Sequence, residues 1–293
     1  MTLTELIAAS ASQLSSAHLS FGHGTTNAQD EAAWLTLWRL GLPLDSDPDV
    51  FNRSMTSDEI KSVQALVQER IDTRKPAAYL THEAWLQGVP FYIDERSIVP
   101  RSFIAELLAD GGIDYWLGEH TQRVLDLCTG NGSLGVLAAM TYPDVDVVGA
   151  DISLEALAVA RINVERHLMN ERITLVQSDG LKTVSGLFDL ILCNPPYVCA
   201  SSMQALPAEF LAEPALALAG GEDGMDFVRQ LLTDAPTHMS EQAVLVLEIG
   251  NEREHFENAF PQLEVIWLET NAGEDQVLLV TRPALMSLHG QTQ

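Results

Sequence analysis

From residue 123 onward, short apolar runs rich in Val, Leu and Ile alternate with stretches whose apolar residues recur at helical spacing. Successive strands can run parallel only through a crossover long enough to return to the same end of the sheet, and a helix usually provides it. The alternation therefore predicts an α/β fold, a doubly wound and mostly parallel sheet with helices on both faces. Strands are expected at 123–128, 145–151, 173–177, 188–193, 243–249, 265–268 and 276–281, seven in all, with a helix after Ser133. Only the Asn271-Ala272-Gly273 turn separates the last two. It is too short for a crossover, so this pair is expected as an antiparallel hairpin at the sheet edge.

The preceding part of the chain follows another pattern. Leu3, Leu6 and Ile7, then Trp34, Leu35, Leu37 and Trp38, then Ile60, Val63, Leu66, Val67 and Ile71 recur at helical spacing. Loops fall at Gly22-His23-Gly24 and Leu42-Pro43-Leu44-Asp45, and Ser57-Asp58-Glu59 carries a helix-start signal. Residues 1–83 are thus expected as a small helical domain. Residues 84–101, strand-like and broken by Gly88, Pro90 and Asp94-Glu95-Arg96, are expected as a hairpin linker. A helix over 104–117 then opens the main domain, 102–293. Two units suit a chain of 293 residues.

Charge narrows the partners. Sixteen Lys and Arg stand against 41 Asp and Glu, a formal net charge of -25, which repels phosphate backbones; by itself it suits solubility alone before it suits attraction of a basic protein partner. No direct nucleic-acid binding is expected. No apolar stretch approaches the ~18 residues of a bilayer span, and no basic flank with an apolar run marks a secretory signal, so the expectation is a cytoplasmic protein without membrane attachment. Cys128, Cys193 and Cys199 form no CxxC pair and are expected as free thiols. The eight histidines show no ligand spacing and no Ser/His/Asp arrangement stands out, so neither a metal site nor a hydrolase is expected.

Asp126-Leu127-Cys128-Thr129-Gly130-Asn131-Gly132 falls where the first sheet strand turns into a helix, and Gly135 completes a G-x-G-x-x-G string. Glycines at this turn let backbone approach a ligand, and the carboxyl edge of such a sheet is where ligands bind. Asp151 ends the second strand, nineteen residues after Gly132, where a carboxylate can accept from both ribose hydroxyls. A nicotinamide dinucleotide and S-adenosylmethionine both meet this pattern. Asp126 favours the second, because a carboxylate repels pyrophosphate and attracts a sulfonium and an ammonium. Asp179 and Gly180, ending the third strand, can take the adenine amine and donate to its ring; Asp179 equally suits a helix N-cap.

Asn194-Pro195-Pro196-Tyr197 follows the buried strand Leu190-Ile191-Leu192-Cys193. An amide or arylamine nitrogen is a poor nucleophile because its lone pair is delocalised. Acceptors on both of its N–H groups counter this: the Asn194 side-chain oxygen for one and the Pro195 carbonyl for the other, with Tyr197 flat against the planar group. Pro195 and Pro196 stiffen the loop, and alignment then supplies most of the catalysis. In isolation the four residues also read as an ordinary turn.

Beyond DLCTGNG and NPPY, the chain carries Phe91 followed by VPRS at 99–102, Glu213-Pro214, and ALAGGEDG at 217–224. With these strings it resembles the protein-(glutamine-N5) methyltransferases over nearly its whole length. The resemblance implies that the helical N-terminal domain, residues 1–83, recognises the substrate protein, and that it is followed by a hairpin linker and a Rossmann-like class I methyltransferase sheet that uses S-adenosyl-L-methionine. It further implies cofactor contacts from Asp126, Thr129, Gly130, Asn131, Gly132, Asp151, Asp179, Gly180 and Asn194. Asn194, Pro195, Pro196 and Tyr197 would hold the glutamine amide, and Arg101 would touch substrate backbone or else form a salt bridge with one of the many nearby acids. One branch of the family modifies the GGQ glutamine of peptide chain release factors, the other a glutamine of ribosomal protein uL3. Pro100-Arg101-Ser102-Phe103-Ile104-Ala105-Glu106, and Cys128 in place of the commoner glycine, look like the uL3 branch. The remaining alternatives are an adenine-amine DNA methyltransferase and a non-catalytic ribosome-assembly factor; the first needs a basic groove that the sequence does not show.

Overall fold

The structure, a computed structural model, describes residues 1–290. Its first helices begin where side chains satisfy the backbone donors that a helix start leaves unpaired. Thr2 and Glu5 form a capping box ahead of α1 (Leu3–Ser16), Asn27 caps α2 (Ala28–Arg39), and Thr56 and Glu59 form a second capping box ahead of α3 (Ser57–Thr73). The short α4 (Ala77–Thr81) follows. Leu3, Leu6, Leu14, Ala32, Val63 and Val67 meet in one apolar cluster between α1, α2 and α3. A two-residue turn at Gln87 and Gly88, both at positive φ, joins β1 (Ala84–Leu86) to the antiparallel β2 (Val89–Phe91). Trp34, Leu35, Tyr79, Ile93, Val99 and Val159 then bury a shared seam, so helices, linker and sheet domain pack as neighbours.

α5 (Ile104–Asp110) is shorter than the helix expected over 104–117. Gly111 takes φ 71° and its N–H bonds to the Leu107 carbonyl, a left-handed stop that the apolar spacing beyond it conceals.

The sheet strands are β3 (Arg123–Leu127), β4 (Asp146–Asp151), β5 (Ile173–Gln177), β6 (Phe188–Cys193), β7 (Met239–Glu248), β8 (Ile266–Thr270) and β9 (Gly273–Thr281). Between them lie α6 (Ser133–Thr141), α7 (Leu154–Arg166), α8 (Ala200–Ala205), α9 (Ala208–Leu211), α10 (Asp226–Asp234) and α11 (Arg253–Ala259), with α12 (Arg282–Gly290) last. Their order is β5-β4-β3-β6-β7-β9-β8, parallel through β7, with β9 antiparallel to both of its neighbours. The expected hairpin is present, with β8 outermost and β9 inserted beside β7. Side chains alternate across the sheet: Leu190, Leu192, Val244 and Val246 enter the core on one face, and Ile191, Cys193, Leu245 and Leu247 that on the other. Strand order reverses between β3 and β6, which opens a crevice at their carboxyl ends. Among the described residues no helix is long and apolar enough to cross a membrane.

Candidate active site at the carboxyl edge of the sheet

The turn from β3 to α6 is held from within by Asp126. Its Oδ2 accepts from the Thr129 hydroxyl and, at 2.8 Å, from the Gly135 N–H, which ties the strand end to the first turn of the helix. Its Oδ1 is buried without a partner, and burial pushes the carboxyl up to about 7 against those two hydrogen bonds. Asn131 anchors the turn outward: its amide donates to the Ile98 carbonyl at 3.0 Å and its oxygen accepts from Ser133 N–H at 2.9 Å. Gly132 has φ 80°, and a Cβ there would stand 3.3 Å from the Ala160 backbone, so close approach of α7 requires glycine. Cys128 also has a positive φ, 60°, a conformation that L side chains rarely adopt.

A cavity of about 220 Å³ lies in front of this turn. Of the residues singled out from sequence, Gly130, Asp151, Asp179, Gly180, Asn194 and Pro196 line it, brought there by four different strand ends. Asp126, Thr129, Asn131 and Gly132 are buried in the turn and do not line it, nor do Pro195, Tyr197 and Arg101. Asp151 accepts from Gly130 N–H and Ser153 N–H, each at 2.9 Å, and burial raises its carboxyl above the ordinary range. Asp179 is exposed and pairs with Lys182 at 2.5 Å. A second cavity of about 300 Å³ shares Leu127, Asp179, Gly180 and Phe227 with the first.

Asn194 sits at the end of β6, half-buried, on the cavity wall. Among the described residues, none hydrogen-bonds to its side chain or to the Pro195 carbonyl. Tyr197 turns the other way: its hydroxyl lies 3.3 Å from Glu248 Oε1, and its ring covers Gly250, where a Cβ would come within 2.5 Å of it.

The model of the Methyltransferase small domain family matches residues 113–256. The ribosomal protein uL3 glutamine methyltransferase of Bordetella pertussis is 49% identical over 97% of this chain and 96% of its own length. Its namesakes from Burkholderia pseudomallei and Neisseria meningitidis serogroup B are 46% and 45% identical over 99% and 97% of this chain, and 97% and 94% of their own. The chain belongs to the ribosomal protein uL3 glutamine methyltransferase family. Among solved structures the hMettl16 catalytic domain superposes with TM-score 0.52 over 76% of this chain and 81% of that one; at 13% identity this bears on the fold alone.

A member of this family is a methyltransferase, and its methyl donor is S-adenosylmethionine. The cavity fits that donor on its own terms. Leu127, Ile152, Ala156 and Phe227 offer apolar surface for a base, Asp151 brings a carboxyl group to the lining, and Ser97, also in the lining, has a buried hydroxyl without a protein partner.

Three buried glutamates brace the site of this methyltransferase from outside the cavity; Glu213 stood out in the sequence only within the Glu213-Pro214 string, and Glu209 and Glu248 did not stand out. Glu248, buried at the end of β7, accepts from the Ser102 hydroxyl at 2.5 Å and from Phe103 N–H at 2.9 Å. Burial raises its carboxyl. It thus joins Tyr197 to the end of the linker. Glu213 forms two 2.6 Å hydrogen bonds with Arg101 and a third, at 2.9 Å, with Val99 N–H. Although burial opposes ionisation, the neighbouring His23 and Arg101 hold this carboxyl down at about 2. Glu209 binds Arg74 at 2.8 Å and stands 3.6 Å from Arg70, which is itself paired with Glu31 in α2. Between the two glutamates, Phe210 packs against His23 with ring centres 4.3 Å apart and planes inclined by 50°. The segment after the NPPY residues is therefore fastened to the N-terminal helices by buried charge. Arg101, read from sequence as a substrate contact, is occupied by Glu213.

Proposed function

We propose that this enzyme transfers a methyl group from S-adenosyl-L-methionine to the side-chain amide nitrogen of one glutamine in ribosomal protein uL3. The observation that carries the reading is the Asn194 side chain: it lines the cavity, and no described residue satisfies it. When bound, S-adenosylmethionine supplies an electrophilic methyl on a sulfonium sulfur. Gly130 and Asp151 take the nucleoside at the ribose, Asp179 and Gly180 hold the adenine edge, and the ion pair of Asp179 with Lys182 yields to that contact. Asn194 Oδ1 and the Pro195 carbonyl accept the two amide N–H groups of the glutamine, drawing electron density onto its nitrogen. Pro196 keeps the loop in one conformation, and Tyr197, held by Glu248 outside the cavity, braces that loop from behind. Preorganised acceptors of this kind act by placement, at little cost when the reaction occurs.

The full-length kinship with proteins named for uL3 supports that substrate over a release factor. The charge of -25 supports a basic protein over nucleic acid and disfavours docking onto assembled RNA. Free or early-assembling uL3, in the cytoplasm where ribosomal proteins are made, is accordingly the form modified. Incubating the purified enzyme and labelled cofactor separately with free uL3, release factors, mature large subunits and an adenine-containing duplex tests this reading. Label is expected in free uL3 alone. Equal rates on free uL3 and mature subunits would remove the free-protein claim, and preferential labelling of a release factor or of DNA would overturn the substrate.

A further inference from the structure

Beyond Tyr197 the chain passes Cys199, whose sulfur reaches a pair of residues at the start of α11. His255 Nδ1 and Glu252 Oε2 lie 2.5 Å apart, and Glu252 Oε1 accepts weakly from the Cys199 N–H at 3.4 Å. The Cys199 sulfur, a Glu252 oxygen and a His255 ring nitrogen all fall within 4.8 Å of one another. Cys199 and Glu252 are 4% and 8% exposed, whereas the His255 side chain is 44% exposed, so the cluster has a closed floor and one open side. The Ser201 and Ser202 hydroxyls stand 3.2 and 3.3 Å from the sulfur. None of the three residues lines the cofactor cavity.

We propose that Cys199, Glu252 and His255 bind one zinc(II) ion, with water in the fourth position. A thiolate ligand selects against magnesium and calcium, and thiolate, imidazole and carboxylate together suit zinc. Zinc bonds of about 2.0–2.3 Å place tetrahedral ligand atoms roughly 3.3–3.8 Å apart, so atoms at the 4.8 Å limit must draw in by about 1–1.5 Å, while Glu252 Oε2 and His255 Nδ1, now 2.5 Å apart, must separate by about 0.8 Å to hold the ion between them. Binding releases the Cys199 thiol proton. The His255 proton now shared with Glu252 moves to Nε2, which leaves Nδ1 free to coordinate. The ion would tie the segment after Tyr197 to the chain leaving β7, where Glu248 and Gly250 already contact Tyr197, and so stiffen the loop that carries Asn194. The site stands whether or not uL3 is the substrate.

Cobalt(II) titration of the metal-stripped full chain tests this, because a thiolate ligand gives a charge-transfer band in the near ultraviolet. One equivalent is expected to produce the band, zinc to displace it, and Cys128→Ser to leave it. Cys199→Ser removes it. His255→Ala, a change at a partly exposed ring, weakens cobalt binding by more than about tenfold, the loss seen even for outer-shell partners. Absence of the band in the wild-type chain, its survival in Cys199→Ser, or unchanged affinity in His255→Ala would each overturn the site.

Discussion

At the residue scale, Asp126 sets a pH signature. Its carboxyl is raised from 3.8 to about 7 by burial, so the folded, cofactor-free protein binds this proton more tightly than the unfolded chain. The associated stability is complete below the unfolded value and is lost as pH rises through about 7. Asp126→Asn keeps an acceptor for Thr129 and Gly135 without the charge. The unfolding free energy of wild type minus variant is expected to fall by up to ~1.4 kcal/mol per pH unit between about pH 4 and 7 and to be flat above. Urea melts across that range would show a constant difference if the carboxyl titrated normally. Asp151, Asp179 and Asn194 were legible because each follows an apolar strand, so their places at one sheet edge come from topology. Ser97 and Glu248 were not, and Glu213 stood out only within the Glu213-Pro214 string, with no role attached to it. One acid among 41, or one serine in a linker, acquires meaning only when distant segments meet around it.

At the scale of elements, the parallel strands could be read because each is an apolar run separated by a helix, whereas the shortening of α5 turns on the backbone of Gly111. The hairpin was readable from its short turn. Insertion of β9 beside β7 was not, since neighbour order depends on which edge the hairpin meets. The least legible element is the fastening of residues 209–213, which joins segments more than 100 positions apart. Glu213→Gln leaves Arg101, one quarter exposed, beside a neutral amide. Breaking such a pair is expected to cost roughly 3–5 kcal/mol in urea unfolding. The carboxyl is depressed from 4.5 to about 2, so its stabilisation is present above about pH 4.5 and lost as pH falls toward 2. Wild type and variant should therefore converge in strong acid. Hydrogen exchange should also quicken in α8 and α9 of the variant. Unchanged exchange there would mean that buried charge does not hold the loop.

For the whole molecule, the net charge of -25 makes encounter with a basic substrate an ionic-strength-dependent event. kcat/KM for free uL3 is expected to drop by about tenfold or more as salt rises from low to well above physiological levels, while cofactor affinity changes far less. A flat salt profile would assign the acidity to solubility alone. The central claim is chemical: Asn194 and the Pro195 carbonyl make an unreactive carboxamide available to a methyl donor held against the glycine turn. The direct measurement is fragment mass spectrometry of purified uL3 after incubation with S-adenosylmethionine and either the wild-type enzyme or Asn194→Ala, with cofactor binding measured in parallel. One methyl on a single glutamine side chain with the wild type, and a rate lower by more than about 100-fold in a variant that still binds cofactor, is the predicted result. A methyl on any other residue type, or full activity in Asn194→Ala, would contradict it.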